Sequence, residues 1–174
     1  KVTGTNTAFV KIGTGKLTAG AGWDNTGSVK VAEGELCLTS GNVIGTGAVT
    51  VDKDARLSGV TGTTALTNSS FTINGELVVG AFANATSGKI NFGGKNVTIS
   101  STGKYVVGKG SYSNTTIENV NTLTINGTIE VVLASSYTPK DGDVLTLWTA
   151  NHFAGTPNYV LPKLPLGMAW DMSK

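Results

Sequence analysis

A short unit recurs six times along this 174-residue chain, and its spacing constrains the fold more than any other feature. Two or three alternating apolar residues precede a tight turn, and one or more follow it. The copies begin with Phe9-Val10-Lys11-Ile12, Gly15 and Leu17. Next come Val29-Lys30-Val31, Glu33-Gly34-Glu35 and Leu36-Cys37-Leu38, then Val49-Thr50-Val51, Lys53-Asp54-Ala55 and Leu57. The later copies are Phe71-Thr72-Ile73 with Leu77-Val78-Val79, Val97-Thr98-Ile99 with Tyr105-Val106-Val107, and Leu123-Thr124-Ile125 with Ile129-Glu130-Val131. Their turns centre on residues 15, 34, 54, 75, 103 and 127, giving steps of 19, 20, 21, 28 and 24 residues.

A near-constant step of about 20 residues is the size of one solenoid coil. Each strand then stacks in parallel on its equivalent one coil away, so every coil needs the same inward residues. Asn-Gly at 74–75 and 126–127 is also a hairpin signal, and a β-sandwich or barrel is the competing architecture. An antiparallel meander gives no reason for equal spacing, so an all-β parallel β-solenoid of about six coils is the expectation. Its test is whether Val29–Val31, Val49–Val51 and Phe71–Ile73 pair in parallel, or Phe71–Ile73 folds back on Leu77–Val79. Extra residues in the longer coils are expected to loop outward, as at 81–88.

Alternation assigns the faces. Val29, Val31, Leu36, Leu38, Val49, Val51, Leu57 and Phe71 should point inward. So should Ile73, Leu77, Val79, Val97, Ile99, Ile125, Ile129 and Val131. Thr50, Thr72, Thr98 and Thr124 should form a stacked outer row. Composition agrees: 24 glycines against 4 prolines, with abundant Thr, Ser, Asn and Val, suit strands joined by tight turns. An apolar fraction of 39% argues against disorder.

Charge narrows the partners. Charged residues make up 14% of the chain and the net charge is +2, which gives no footprint for nucleic acid. No run approaches the roughly 20 apolar residues of a membrane helix, so no membrane insertion by this segment is expected. Cys37 is the only cysteine, which excludes an intrachain disulfide and a thiolate metal cluster. The chain opens at Lys1-Val2-Thr3 without an initiator Met, and it reads as part of a longer protein.

The segments Gly27-Ser28-Val29-Lys30-Val31-Ala32-Glu33-Gly34-Glu35-Leu36 and Ile44-Gly45-Thr46-Gly47-Ala48-Val49-Thr50-Val51 resemble the autotransporter-associated β-strand repeat of bacterial surface and secreted proteins. Pro139-Lys140-Asp141-Gly142-Asp143, Leu145-Thr146-Leu147-Trp148, Phe153-Ala154-Gly155 and Leu164-Pro165-Leu166-Gly167-Met168-Ala169-Trp170-Asp171 are similar to the segment that closes such arrays. The resemblance spans roughly residues 27–174. It implies a right-handed parallel β-helix exported from a bacterium, to the extracellular space or outer cell surface, serving as stalk or passenger material. The expected division is repeats over 1–136 and a closing segment of the same domain over 137–174. From Gly142 onward the chain should leave the regular coil and cover its end with Trp148 and Trp170.

Many parallel β-helices act on polysaccharides as lyases or hydrolases, which need clustered carboxylates and a base. Asp52-Lys53-Asp54 and Asp141-Gly142-Asp143 read instead as turns. His152 is the sole histidine and Arg56 the sole arginine, so neither a three-histidine zinc site nor a Ser-His-Asp arrangement is legible. No catalytic residue, metal or cofactor is expected. The leading function is a non-catalytic structural stalk or spacer module of a bacterial extracellular protein. The alternative is a carbohydrate-binding or adhesion module, with Trp23 and Tyr112 as the ligand-binding residues that stack on glycans. Glycans or other surface proteins are the partners this alternative implies.

Overall fold

The computed structural model describes residues 5–20, 23–39, 44–59, 65–80, 88–110 and 114–173. Its regular structure is all strand, and the strands alternate between two parallel sheets. The first sheet stacks β1 (Phe9–Lys11), β3 (Val29–Val31), β5 (Val49–Val51), β7 (Ser70–Ile73), β9 (Gly88–Ile99), β11 (Thr115–Ile125) and β13 (Trp148–Ala154) in that order. The second stacks β2 (Lys16–Ala19), β4 (Glu35–Leu38), β6 (Arg56–Gly59), β8 (Glu76–Val79), β10 (Lys104–Lys109), β12 (Thr128–Leu133) and β14 (Asn158–Val160). Successive strands fall in different sheets and each pairs with the strand one repeat away, which makes the fold a β-solenoid.

The pairing decides between solenoid and hairpin. Val49 pairs with Val29 and Phe71 in register and in parallel. The strands flanking Asn74-Gly75 lie in separate sheets, so that turn is a corner of the coil. The corners repeat one backbone contact: the amides of Arg56, Glu76, Lys104, Thr128 and Asn158 donate to the carbonyls of Gly34, Ala55, Gly75, Gly103 and Gly127. Coils approach too closely here for side chains. A Cβ on Gly127 would collide with the Gly103 carbonyl, and one on Gly47 with that of Gly27. Asp54 takes a left-handed φ of 68° where the preceding coil has Gly34 at 66°. The Asp52-Lys53-Asp54 motif is therefore a turn, with Asp52 also 2.9 Å from Lys30.

All sixteen residues assigned inward are buried. Leu36, Leu57, Leu77, Tyr105 and Ile129 form one continuous inner row. Val29, Val49, Phe71, Val97 and Leu123 form another. Such uninterrupted apolar stacking is the main burial that holds adjacent coils together. Thr50, Thr72, Thr98 and Thr124 stack as expected on the outer side of the first sheet. The third side of the coil adds buried Trp23, Ile44, Leu66 and Phe92, with buried Asn25 and Asn68 at its corner. Asn68 Nδ2 donates to the Gly47 carbonyl at 2.9 Å, tying that corner to the preceding coil.

One expectation needs correction. The chain does not leave the ladder at Gly142: Trp148–Ala154 extends the first sheet and Asn158–Val160 the second. The period is stretched rather than lost, because residues 134–147 form an insertion before a further turn at Gly155, 28 residues after Gly127. In the long fourth-to-fifth step, residues 81–87 lie outside the described set, but Gly88 already begins β9. The added length there is partly strand, since β9 and β11 have 12 and 11 residues.

Candidate functional site

Trp23, expected to offer a stacking surface, is a core residue. It is 7% exposed, and its ring meets Phe9 edge to face at 4.7 Å between centroids. A ring so enclosed has no open face for a sugar. Its backbone bridges to Ile44 in the next coil, so it belongs to the inner row of the third side. Tyr112 lies outside the described residues.

The aromatic concentration lies instead at the C-terminal end of the solenoid. A cavity of about 840 Å3 is lined by Trp148, Phe153, Leu145, Leu161, Met168 and Trp170, among others. Trp148 and Phe153 stack at 4.8 Å with 16° between their planes. In the ladder with β11, Trp148 lies opposite buried Ile117 and Phe153 opposite buried Leu123, and the register shifts between Ile117 and Val120, on the β11 side. Trp170 is fixed from the other wall by an Nε1–H donated to the Pro162 carbonyl at 2.9 Å. The segment entering β13 is tied to the body of the solenoid: Tyr105 Oη donates to the Leu147 carbonyl at 2.6 Å, and Asn114 Nδ2 to that of Thr146 at 2.8 Å. Complete burial pushes the Tyr105 phenol well above its ordinary value, keeping it a neutral donor.

Polar groups gather on one lip of the cavity. Tyr137 Oη donates to Asp143 Oδ2 at 2.5 Å, and the Lys140 amide donates to the same oxygen at 2.8 Å. Lys109 Nζ sits 5.6 Å from the centre of the Tyr137 ring. The phenol hydrogen bond and the backbone amide hold the Asp143 carboxyl below its ordinary range. Burial and the adjacent carboxylate push Tyr137 up to about 12. Asp143 is thus occupied in closing the turn at Asp141-Gly142, where Gly142 has a φ of 83°. Trp148 and Trp170 are both half-buried against the core.

A second hollow, of about 520 Å3, runs beside the corner row and is lined by Glu35, Lys53, Asp54, Arg56, Glu76 and Lys104, among others. Glu35, Arg56, Glu76 and Lys104 belong to a ladder that crosses the second sheet. Lys16 lies 3.4 Å from Glu35, and Arg56 lies 3.9 Å from Glu35 and 2.6 Å from Glu76. Lys104 then lies 2.8 Å from Glu76 and 3.1 Å from Glu130. Signs alternate coil by coil. Burial alone would raise Glu76, but hydrogen bonds from Lys104 and Arg56 and their charges outweigh it, and the carboxyl sits below its ordinary range. At Glu35 burial is likewise outweighed by Ser58, Lys16 and Arg56. A general acid needs a raised carboxyl pKa, the opposite shift.

Among the described residues no three His, Cys, Asp or Glu side chains cluster as a metal site would require. His152 lies exposed on β13, opposite Thr122. The charge ladder escaped the sequence reading although its signal is there. Lys16, Glu35, Arg56, Glu76 and Lys104 each stand just before an inward Leu or Tyr, at one position of the repeat. Set against protein-family models, curated proteins and solved structures, the chain matches none of them.

Proposed function

We propose that this chain is a non-catalytic structural stalk or spacer module of a bacterial extracellular or cell-surface protein. The observation that carries the reading is the charge ladder. Along the second sheet the strongest charged groups are spent on one another, coil to coil. A rod built this way keeps its shape through repeated nearest-neighbour contacts. The finer architecture belongs to the same proposal: a right-handed coil of about six turns, with residues from Leu161 onward folded over part of its C-terminal end. The resemblance of Gly27–Leu36 and Ile44–Val51 to the autotransporter-associated repeat supports the bacterial surface setting.

A second reading, a carbohydrate-binding or adhesion module, is favoured by one observation: the apolar cavity between Trp148, Phe153 and Trp170. Pockets of this volume with aromatic walls are common ligand sites. A glycan array combined with a polysaccharide depolymerisation assay separates the readings. The spacer reading expects no specific binding and no chain cleavage. Specific micromolar binding that disappears in Trp148→Ala would replace it with the adhesion reading, and cleavage would replace both.

A further inference from the structure

We propose that the outer face of the first sheet binds ice, through a threonine row that holds bridging water in tetrahedral geometry. Thr50, Thr72, Thr98 and Thr124 stack on one another in parallel register. They stand 22, 26 and 26 residues apart in the chain, so the varying coil length is absorbed away from this row. The ladder between β9 and β11 shifts near Val120, but residues 123–125 are back in register with residues 97–99. A second row runs beside the first. The amides of Asn74, Ser100 and Asn126 donate to the carbonyls of Val51, Ile73 and Ile99, which places all three at one position, two residues after the threonines.

The four threonines are half-buried, and their hydroxyls have no hydrogen-bond partner among the described residues. The side-chain amides of Asn74 and Asn126 have none either, while Ser100 bonds Thr102 at 3.2 Å. Spacing explains the unpaired hydroxyls. Parallel strands lie about 4.8 Å apart, whereas an O–H···O bond spans about 2.8 Å, so successive hydroxyls cannot reach each other. β-Branching restricts threonine at χ1, which keeps the row in step. One water fits between each pair: two bonds of about 2.8 Å across about 4.8 Å meet at about 118°, close to the tetrahedral angle. A file of such waters has the local geometry of ice, at steps fixed by the backbone ladder.

Charge selects the partner. Thr72, Thr98, Thr124, Asn74, Ser100 and Asn126 are all neutral, and each side chain can both donate and accept. Lys30 and Asp52, which precede the two rows, pair with each other at 2.9 Å. The second sheet is the reverse, with an outer face carrying the charge ladder. Neither row contains an aromatic ring on which a sugar could stack. Their groups stand in parallel instead of converging on a pocket, so they suit a partner that repeats as they do. Ice is neutral, repeats at fixed steps and offers donors and acceptors in equal number. Binding to it goes beyond the spacer reading and does not depend on it.

The test is partition into slowly grown ice, with circular dichroism to confirm that each variant keeps its β content. The wild-type chain should be enriched several-fold in the ice over a carrier protein left in the liquid. Thr72→Lys with Thr98→Lys should be excluded with the carrier, and Thr124→Lys alone serves if that pair loses β content. Thr18→Lys, on the outer face of the second sheet opposite Cys37, should partition like wild type. Exclusion of the wild-type chain from ice would overturn the proposal and leave the spacer reading in place. Full enrichment of the folded Thr72→Lys and Thr98→Lys variant would overturn it too, by moving the activity to another face. A wild-type chain excluded from ice but retained on an insoluble neutral polysaccharide, with retention lost in that variant, would give the face to a glycan instead.

Discussion

Leu77 sits fully buried in the inner row between Leu57 and Tyr105 of the flanking coils. Removing its side chain strips contacts from two coils at once, and the parallel ladders leave little freedom to collapse into the space. Leu77→Ala should therefore cost about 2–5 kcal/mol in a urea titration; a loss below about 1 kcal/mol would place this side chain outside the core. At this scale the sequence was most informative. Alternation in three-residue strands such as Val29–Val31 is enough to separate the faces, because a side chain one position away must point the other way. Trp23 shows where that logic stops. It stands outside the recurring strand pairs, on the third side of the coil, so no alternation spoke for its direction. Lys11 is a second case. It pairs with inward Val31, yet its ammonium turns to the corner, where Nζ reaches the carbonyls of Ile12, Gly13 and Glu33 at 2.9, 2.5 and 3.0 Å. Carbonyls satisfy a buried cation only through the three-dimensional path of the turn, which spacing does not encode.

Between elements, the second sheet is held by its leucine row inside and by the charge ladder outside. Single exposed ion pairs contribute little. Here each interior member touches two partners of opposite sign, and Arg56 Nε and Nη2 both bond Glu76 Oε2, at 2.8 and 2.6 Å. Glu35 and Glu76 have carboxyls held below their ordinary value in the folded chain. Their contribution is complete above the unfolded glutamate value and is lost as pH falls through the depressed folded values. The urea midpoint of the wild-type chain should thus fall from neutral pH into the acid range, and Glu76→Gln should flatten that fall while lowering the midpoint at neutral pH. Parallel pH profiles for the two proteins would contradict this assignment. The ladder becomes visible in the sequence only after the corners have been aligned, because its members lie 19 to 28 residues apart. Its meaning depends on register: one residue of slip would turn these charges into the core.

Across the whole molecule, the period carried the architecture, and its interruption concealed the C-terminal end. The 28-residue step from Gly127 to Gly155 hides a regular corner behind the insertion at 134–147. The cavity there was not legible, since Trp148, Phe153 and Trp170 meet only through the fold of that insertion and of the segment after β14. A spacer is defined by length gained per coil, and this can be measured directly. Val10, Lys30, Thr50, Thr72, Thr98, Thr124 and Ala154 occupy successive places in one outer row. At about 4.8 Å per parallel strand, Val10 and Ala154 should lie about 29 Å apart, and Lys30 and Ala154 about 24 Å. Pulsed electron spin resonance on nitroxide pairs at these sites, in a Cys37→Ser background diluted with unlabelled protein, reads both distances. The account predicts two narrow distributions separated by one strand spacing; equal distances, or broad distributions without that separation, would contradict it.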